Sequence, residues 1–282
     1  MKKLAALSTR RPGLRSMISS ISRKLAGEER GGLVLADEDE IYRAILQGRG
    51  LTPTRPLNDY IAEVRADAEL RATFEESIRT HRLTKYKSYD ERVDKLRAAI
   101  TIYYALVREI QPQCLVETGT AQGSLTGFLL AALARNGKGT LYSIDIPPNA
   151  GKLTMDITVA ASEVGYFIPV AYRSRWKYIE GDAKIHLPRL MSEVEVDWFI
   201  HDSLHTRTHM LFEYEVARAL MPEKAVIASD DILWNNSFCD FLRTHQIRGY
   251  CGFSNPNVGI ALNTFDALER EIGLGIIRPS KR

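Results

Sequence analysis

The sequence predicts an α/β fold in which helices cover both faces of a doubly wound, mostly parallel sheet. Beyond about residue 112, short apolar runs alternate with amphipathic stretches of helical period. Strands that are separated by helices in this rhythm pair in parallel. The last two apolar runs are too close together for a helical crossover, so they predict an antiparallel C-terminal hairpin.

Residues 1–85 are predicted to form an N-terminal helical extension or lid, and residues 86–282 the α/β domain. Apolar residues recur at helical spacing over Leu57–Arg82 and again over Arg92–Ile110. Pro112 then prevents the second helix from continuing, because proline lacks the amide hydrogen that a helix requires.

The α/β domain is predicted to contain seven strands and five helices. The strands are Cys114–Thr118, Thr140–Ile144, Lys177–Ile179, Val196–His201, Ala225–Ser229, Tyr250–Phe253 and Val258–Leu262. The helices are Ser124–Arg135, Thr154–Val164, Ala183–Met191, Arg207–Leu220 and Asn236–His245. The segment Ser254–Asn257 contains an Asn-Pro-Asn turn signal and is expected to join the closing hairpin.

The composition is typical of a soluble globular protein, with 45% hydrophobic and 26% charged residues. The net charge of +3 is too small to indicate nucleic-acid binding. The first thirty residues carry eight Lys or Arg against two Glu. Such a charge run is usually a solvated arm, while a lid or an anion- or membrane-contacting helix are the alternatives.

Two sequence features bear on location. No apolar run approaches the ~18–20 residues of a membrane span, and no secretory signal is apparent, so stable membrane insertion is not expected. The three cysteines, Cys114, Cys239 and Cys251, are far apart and form no Cys-x-x-Cys pair. A reducing, cytoplasmic location is therefore expected.

A glycine-containing loop follows the first strand of the α/β domain. The strand Cys114–Thr118 leads into Gly119-Thr120-Ala121-Gln122-Gly123, and a helix is predicted to begin at Ser124. Open parallel sheets bind ligands at the carboxyl ends of their strands. Glycines permit close approach of the backbone, and a helix N-terminus offers free amides to an anion. The alternative is a tight turn that binds nothing.

Acidic residues follow the next two strands. Asp145 ends the second strand, where a carboxylate can accept both hydroxyls of a ribose. Asp182, followed by Ala183, ends the third strand, from which it could accept the exocyclic amine of an adenine. The succession of glycine, acid and acid predicts a nucleoside-containing cofactor, although Asp145 could instead be a simple turn residue.

Two nucleoside cofactors are compatible with this pattern. A nicotinamide-binding loop requires Gly-x-Gly-x-x-Gly, and this chain lacks the second glycine. Glu117 would also repel a diphosphate, whereas a carboxylate suits the ammonium and sulfonium groups of S-adenosylmethionine. The residues therefore favour S-adenosylmethionine. A nicotinamide-dependent oxidoreductase and a non-catalytic cofactor-binding module remain the alternatives.

A second cluster follows the fourth and fifth strands, with Asp202 and His205 after one and Asp230 and Asp231 after the other. Three adjacent carboxylates repel one another, so a cation or a shared proton is expected. Mg²⁺ is a suitable occupant, and His205 could take a proton from a bound substrate hydroxyl. Alternatively, the acids cap turns or helices and His205 is an ordinary first-turn residue.

The remaining histidines of this region are interpreted as structural. His201 alternates with Asp202 along the chain and should therefore point elsewhere. His186 and His209 lie within predicted helices and receive the same interpretation.

These motifs together resemble a known family. The segments are Val116–Ser124, Ile144-Asp145, Glu180–Ala183, Ile200–His205 and Ser229–Ile232. They resemble class I S-adenosylmethionine-dependent methyltransferases related to macrocin O-methyltransferase and the cephalosporin-hydroxylase-like proteins, and more distantly catechol O-methyltransferase. The resemblance covers about residues 88–264 and implies a Rossmann-like methyltransferase sheet.

The resemblance also implies roles for individual residues. The metal ligands would be Asp202, Asp230 and Asp231, and the base His205. By this resemblance Glu117, Gly119 and Ser124 would surround the methionine part of the cofactor, Asp145 the ribose and Asp182 the adenine. Further predicted cofactor contacts are Thr120, Gly123 and Ala183. Relatives often carry Asp-Gly-Asp-His where this chain has Asp202-Ser203-Leu204-His205, so the middle acid of that motif is absent here.

The predicted function is metal-dependent methyl transfer from S-adenosylmethionine to a hydroxyl of a small molecule, such as a sugar, a macrolide or a phenol. Tyr86, Tyr89, Trp234 and Asn235 are candidate lid or wall residues of the acceptor site. Nucleic acid is not expected as a substrate, because the chain has neither an Asn-Pro-Pro-Tyr-like segment nor a basic, aromatic-interleaved strip. An exposed apolar N-terminal helix would favour a homo-oligomer.

Overall fold

A computed structural model describes residues 32–83, 88–146 and 163–265, which build one eight-stranded sheet with helices on both faces. The strands are β1 (Leu33–Ala36), β2 (Cys114–Thr118), β3 (Thr140–Asp145), β4 (Trp176–Glu180), β5 (Trp198–His201), β6 (Val226–Ser229), β7 (Gly249–Gly252) and β8 (Gly259–Leu262). Each of the seven predicted strands is present, with ends that differ from the prediction by at most two residues.

The strand order is β1-β7-β8-β6-β5-β2-β3-β4. Strand β8 pairs antiparallel with β6 and β7, and the other strand pairs are parallel, which confirms the predicted closing hairpin. The chain winds outward from β2 to β4 and then returns to place β5 on the other side of β2. The order therefore reverses between β2 and β5, and such a switch point opens a crevice at the carboxyl ends of the strands.

Ten α-helices are described. They are α1 (Glu38–Gly48), α2 (Leu57–Arg65), α3 (Ala68–Thr80), α4 (Tyr89–Lys95), α5 (Arg97–Ile100), α6 (Leu106–Ile110), α7 (Ser124–Asn136), α8 (Ala183–Glu193), α9 (Arg207–Leu220) and α10 (Ser237–Thr244). A π-helical turn, Thr101–Ala105, joins α5 to α6, and a 3₁₀ turn, Val170–Arg175, precedes β4.

Two predicted N-terminal helices are interrupted. Leu57–Arg82 divides into α2 and α3, because Asp67 caps α3 by accepting the amide of Leu70 at 2.9 Å. Arg92–Ile110 is broken at Leu96 and again at the π-helical turn. Of the predicted helix Thr154–Val164, residues 154–162 lie outside the described part of the chain.

The N-terminal segment belongs to the sheet as well as to the helical layer. Strand β1 pairs in parallel with β7, and the sequence analysis missed both β1 and α1. Ile41 and Phe74 share a continuous hydrophobic core with Leu106 and Leu129. The N-terminal region is helical, as predicted, but it also contributes strand β1, and packing continues across the predicted boundary at residue 85.

Side chains alternate along the strands between two cores, as the pleat of a sheet requires. Ile200 and Ala228 face the core formed with α1–α7, while Phe199 and Ile227 face the core formed with α8–α10. Strands buried on both faces are typical of parallel sheets. Within the described residues, no helix has the length and apolar character needed to cross a membrane. All three cysteines are buried and have free thiols.

The carboxylate of Asp67 connects the N-terminal helices to the α/β domain. It is 1% exposed, accepts a bond from Arg135 of α7 at 3.0 Å, and accepts another from the Tyr172 hydroxyl at 2.8 Å. These bonds add to the helix cap at Leu70. One buried acid therefore fixes α3 against two later elements.

Replacing Asp67 by Ala is expected to lower the free energy of unfolding by about 2 kcal/mol, because the variant loses a helix cap and leaves buried donors without an acceptor. Urea denaturation would measure this change. Asp59→Ala, at an exposed position in the first turn of α2, is the control and should change stability by less than about 0.5 kcal/mol. Equal losses in both variants would contradict the assignment.

Candidate active site

The loop after β2 lies at the switch point of the sheet. Gly119 and Gly123 both have left-handed backbone conformations, with φ of 82° and 78°, and Gly123 precedes the first residue of α7. A Cβ on Gly119 would lie 2.1 Å from the carbonyl oxygen of Asp202. Glycine is therefore required at position 119 both by the backbone conformation and by the close approach of the Asp202 segment.

Asp145 is bound to this glycine loop. Its Oδ2 accepts the amides of Thr120 and Ala121 at 3.0 and 2.8 Å. The backbone oxygen of Asp145 accepts the amide of Gly181 at 2.9 Å. The structure thus brings the glycine loop, Asp145 and the start of the Asp182 segment to one edge of the sheet, as the strand order requires.

Asp182 has a local role that the sequence analysis did not assign. Its Oδ1 caps α8 by accepting the amide of Lys184 at 2.8 Å. Asp182 is half-buried, and the following Ala183 is buried. The contact of these two residues with an adenine stays a prediction.

Glu117 lies beneath the loop rather than at its surface. It is 1% exposed, and its carboxyl group accepts bonds from the hydroxyls of Thr126 at 3.0 Å and Ser143 at 2.7 Å. Burial raises the pKa of Glu117 to about 8. Burial therefore disfavours the ionised form of Glu117, which weakens the charge argument that favoured a cationic cofactor over a diphosphate.

Two hydroxyls border the loop. Ser124 accepts a hydrogen bond from the Arg92 guanidinium of α4 at 2.8 Å, so the start of α7 is tied to α4. The Thr120 hydroxyl is buried, and no residue of the described chain forms a hydrogen bond with it. A buried polar group without a partner is costly, and a bound ligand at this edge would satisfy it.

The four residues of the second cluster meet at the carboxyl ends of β5 and β6. The Asp202 amide donates to Thr118 of β2, and the Asp230 amide donates to His201 of β5, both at 2.9 Å. His205 Nε2 lies 3.8 Å from Asp202 Oδ1 and 3.8 Å from Asp231 Oδ2. The predicted neighbours are therefore together, directly beside the glycine loop.

The enclosed position of this cluster shifts its protonation equilibria. Desolvation, reinforced by Asp230, raises the pKa of Asp202 well above its ordinary value, and desolvation with Asp231 also raises that of Asp230. Burial, reinforced by His201, lowers the pKa of His205 to about 4. His205 is consequently unprotonated at neutral pH.

The cluster has oxygen donors that suit a hard divalent cation, and its acids lack full charge compensation. These oxygens are not arranged as a coordination shell around a single point. Among the residues that the structure describes, no group of three or more His, Cys, Asp or Glu is arranged to hold a metal ion. Asp231 has a left-handed backbone with φ of 52°, and its Oδ1 accepts a bond from the Asn257 amide group. The predicted metal ligands Asp202, Asp230 and Asp231 thus stay a prediction.

Tyr103 is a residue of this region that the sequence analysis missed. It lies in the π-helical turn, is fully buried, and its hydroxyl has no hydrogen-bond partner within the described residues. Burial, followed by the charges of Asp230 and Asp202, raises its pKa well above the usual value. A π-helical turn often marks a functional site, but its sequence shows only ordinary helical periodicity.

Two of the four predicted wall residues lie beside His205. Trp234 is 45% exposed, with its ring centroid 5.3 Å from that of His205, and Asn235 donates to the His205 carbonyl at 3.0 Å. Tyr89 is instead a core residue, 2% exposed, whose hydroxyl donates to Val64, so its assignment to the lid is wrong. Tyr86 lies outside the described residues.

Comparisons with known proteins agree with this geometry. Residues 116–232 match the family model described as "Methyltransferase domain". The match begins in β2 and ends just after Asp231, so it includes both the glycine loop and the acidic cluster. This segment of the chain is thus similar to methyltransferase domains. No curated protein matches the chain.

Three solved structures illustrate what the chain is similar to. A putative O-methyltransferase from Klebsiella pneumoniae is 13% identical, covering 81% of this chain and 99% of that one, with a TM-score of 0.49. An O-methyltransferase from Bacillus cereus in complex with SAH is 15% identical, with coverages of 79% and 98% and a TM-score of 0.45. TomG from Streptomyces achromogenes, an O-methyltransferase involved in tomaymycin synthesis and solved with SAM, is 14% identical, with coverages of 81% and 100% and a TM-score of 0.47.

Replacing Gly119 by Ala is expected to weaken S-adenosylhomocysteine binding at least about tenfold and to destabilise the protein by about 2 kcal/mol, since the new Cβ displaces the loop from Asp202. Calorimetric binding and urea denaturation measure the two effects. Gly137→Ala is the matched control, because Gly137 has a similar φ of 70° and open space around its Cβ position. If both variants bound the ligand as wild type does, the loop would not be the cofactor site.

Proposed function

We propose that this chain is an O-methyltransferase that moves the methyl group of S-adenosylmethionine to a hydroxyl of a small molecule. The observation that carries the proposal is the position of His205. Its Nε2 lies 3.8 Å from each of two carboxylates, and the segment that holds it packs directly on Gly119. The proposed base and the proposed cofactor loop are thus neighbours.

The cofactor half of the proposal assigns the methionine part to the loop between Gly119 and Ser124. Both loop amides that bind Asp145 go to Oδ2, so Oδ1 can accept a ribose hydroxyl. Asp182 and Ala183 would flank the adenine from the next strand end. Glu117 supports the loop from below, through its bonds to Thr126 and Ser143.

The reaction would be a direct in-line displacement. The acceptor hydroxyl gives its proton to Nε2 of His205, and an oxygen electron pair forms the new O–CH₃ bond as the S–CH₃ bond breaks. The bonding electrons stay on sulfur, which becomes the neutral thioether of S-adenosylhomocysteine. His205 is unprotonated at neutral pH and can therefore accept the proton, and the imidazolium that results would lie 3.8 Å from an oxygen of Asp202 and from an oxygen of Asp231.

A divalent cation is part of the proposal because the acids of the cluster repel one another. Held by oxygens of Asp202, Asp230 and Asp231, it would lower the pKa of the acceptor hydroxyl. The proposed acceptors are sugars, macrolides or phenols. Within the methyltransferases we place the chain with the macrocin-type group, on the strength of the acids and His205.

The proposed activity is tested by two measurements on the whole chain. Equilibrium binding should show affinity for S-adenosylhomocysteine and none for NADH. Labelled methyl groups from S-adenosylmethionine should then appear on a hydroxyl compound of a sugar, macrolide and phenol panel. Binding of NADH alone would overturn the proposal in favour of an oxidoreductase, and cofactor binding without transfer to any acceptor would favour a binding module.

Replacing His205 by Ala is expected to lower kcat at least about 100-fold, because the hydroxyl loses its proton acceptor. S-Adenosylhomocysteine affinity should change less than twofold. Steady-state kinetics and calorimetry measure the two quantities. His245→Ala, which removes an imidazole that contacts Glu215 away from the site, is the control and should retain kcat. A His205 variant with wild-type kcat would exclude this base.

The cation is tested by adding Mg²⁺ to chelator-treated enzyme. Activity should rise with Mg²⁺, and calorimetry should detect binding that Asp230→Asn abolishes, because a carboxylate oxygen is lost from the cluster. Asp240→Asn, which removes an acid that contacts Arg207 and Arg243, is the control and should bind Mg²⁺ normally. Undiminished activity in the presence of chelator would show that the reaction does not require a cation. His205 alone would then assist deprotonation of the acceptor hydroxyl.

A further inference from the structure

Another buried carboxylate, that of Glu213 in α9, lies behind the second cluster. It has no exposed surface and makes four hydrogen bonds. Oε2 accepts the Thr118 hydroxyl and the His201 Nδ1 hydrogen, both at 2.6 Å. Oε1 accepts the Ser203 hydroxyl at 2.9 Å and binds His209 Nε2 at 2.7 Å. Every oxygen of this carboxylate is therefore used.

The four partners come from separate parts of the fold. Thr118 ends β2, His201 ends β5, Ser203 lies in the loop that carries Asp202 and His205, and His209 lies in the first turn of α9. Glu213 thus fastens α9 to both strands that border the switch point. It also holds the loop between them.

The charge state of Glu213 makes this connection strong. Burial alone would raise its pKa, but His201 and His209 lower it to about 2, so the group is ionised. Hydrogen bonds to an ionised acceptor are shorter and roughly twice as strong as neutral ones. The two 2.6 Å bonds to Thr118 and His201 agree with this.

The connection reaches His205 by two routes. The first is through His201, whose ring lies edge-on to that of His205, with centroids 5.2 Å apart and planes at 78°. Because Nδ1 of His201 is held by Glu213, this ring cannot rotate away. The second route is the chain itself, since Ser203 is anchored two residues before His205.

We propose that Glu213 is a positioning residue for methyl transfer, which keeps the His205 imidazole between Asp202 and Asp231 by holding His201 and Ser203. This inference rests on the proposed function. Well-packed apolar residues often stabilise a core as much as a buried ion pair does, so a buried carboxylate is weak evidence for a purely stabilising role. A catalytic base must be positioned precisely, because a displacement of about 1 Å can lower the rate about 100-fold. This requirement explains a buried carboxylate at the switch point.

The test compares Glu213→Gln with Glu215→Gln, a matched control on the same helix that contacts His245 at a half-exposed position. Glu213→Gln keeps the size of the side chain but removes the charge and one or more acceptor sites. We expect kcat to fall at least about tenfold, as for other residues that orient an active-site group. KM and S-adenosylhomocysteine affinity should stay within twofold, and Glu215→Gln should resemble wild type.

A double-mutant cycle with His205→Ala separates positioning from general stability. If Glu213 acts through His205, Glu213→Gln should cost less than about threefold in kcat when His205 is already absent. An equal fold-loss in both backgrounds would overturn the proposal. Should Glu213→Gln fail to fold, Ser203→Ala removes only one of the four bonds and enters the same cycle, with Ser192→Ala, a half-buried serine of α8 that bonds to the Arg189 carbonyl, as its control.

Hydrogen exchange gives a readout that does not depend on turnover. Amides of residues 202–206 should exchange at least about tenfold faster in Glu213→Gln or Ser203→Ala than in the control variants, and unchanged exchange would overturn the proposal. If wild-type protein binds S-adenosylhomocysteine but methylates no hydroxyl, the proposed function fails. The exchange data then decide separately whether Glu213 holds the loop.

Discussion

The backbone of Asp202 approaches Gly119 so closely that a Cβ at position 119 would lie 2.1 Å from its carbonyl oxygen. This contact joins the two halves of the site. Strands β2 and β5 are neighbours in the sheet, and the chain leaves their carboxyl ends in opposite directions, which opens the crevice. Because Gly119 has no side chain, the loop that would hold the methyl donor lies against the segment that carries His205. The proposed methyl transfer depends on donor and base being held close together, and this contact would bring them there.

The carboxyl groups around this contact are stabilised in different ways. Glu213 receives four hydrogen bonds and stays ionised, with its pKa lowered to about 2. Glu117 is equally buried, but its donors are hydroxyls only, and its pKa rises to about 8. The pKa values of Asp202 and Asp230 are raised as well. Charge is thus compensated behind the crevice and left uncompensated inside it, where a proton or a cation would be bound.

The sequence predicted the strand ends and the loop at Gly119, because apolar period and glycine spacing are local signals. It missed β1, whose four residues are too few to establish a period beside a basic segment. It missed the π-helical turn Thr101–Ala105, since the extra residue in a turn leaves no compositional mark. The ionisation of Glu117 depends on burial, and the bonds of Glu213 depend on tertiary packing. Neither can be derived from residue spacing.

The loop between β5 and α9 shows how packing completes what spacing begins. Ser203 turns inward to Glu213, whereas Leu204 is 43% exposed. With these two residues fixed on opposite sides of the loop, Asp202 and His205 are brought to the same side. Nε2 of His205 lies 3.8 Å from Oδ1 of Asp202. A three-residue spacing between an acid and a histidine also occurs on ordinary helix surfaces and does not by itself imply a shared site. The inward hydrogen bond of Ser203 therefore helps to place Asp202 and His205 on the same side of the loop. Ser203 can form this bond because Glu213 lies behind the loop.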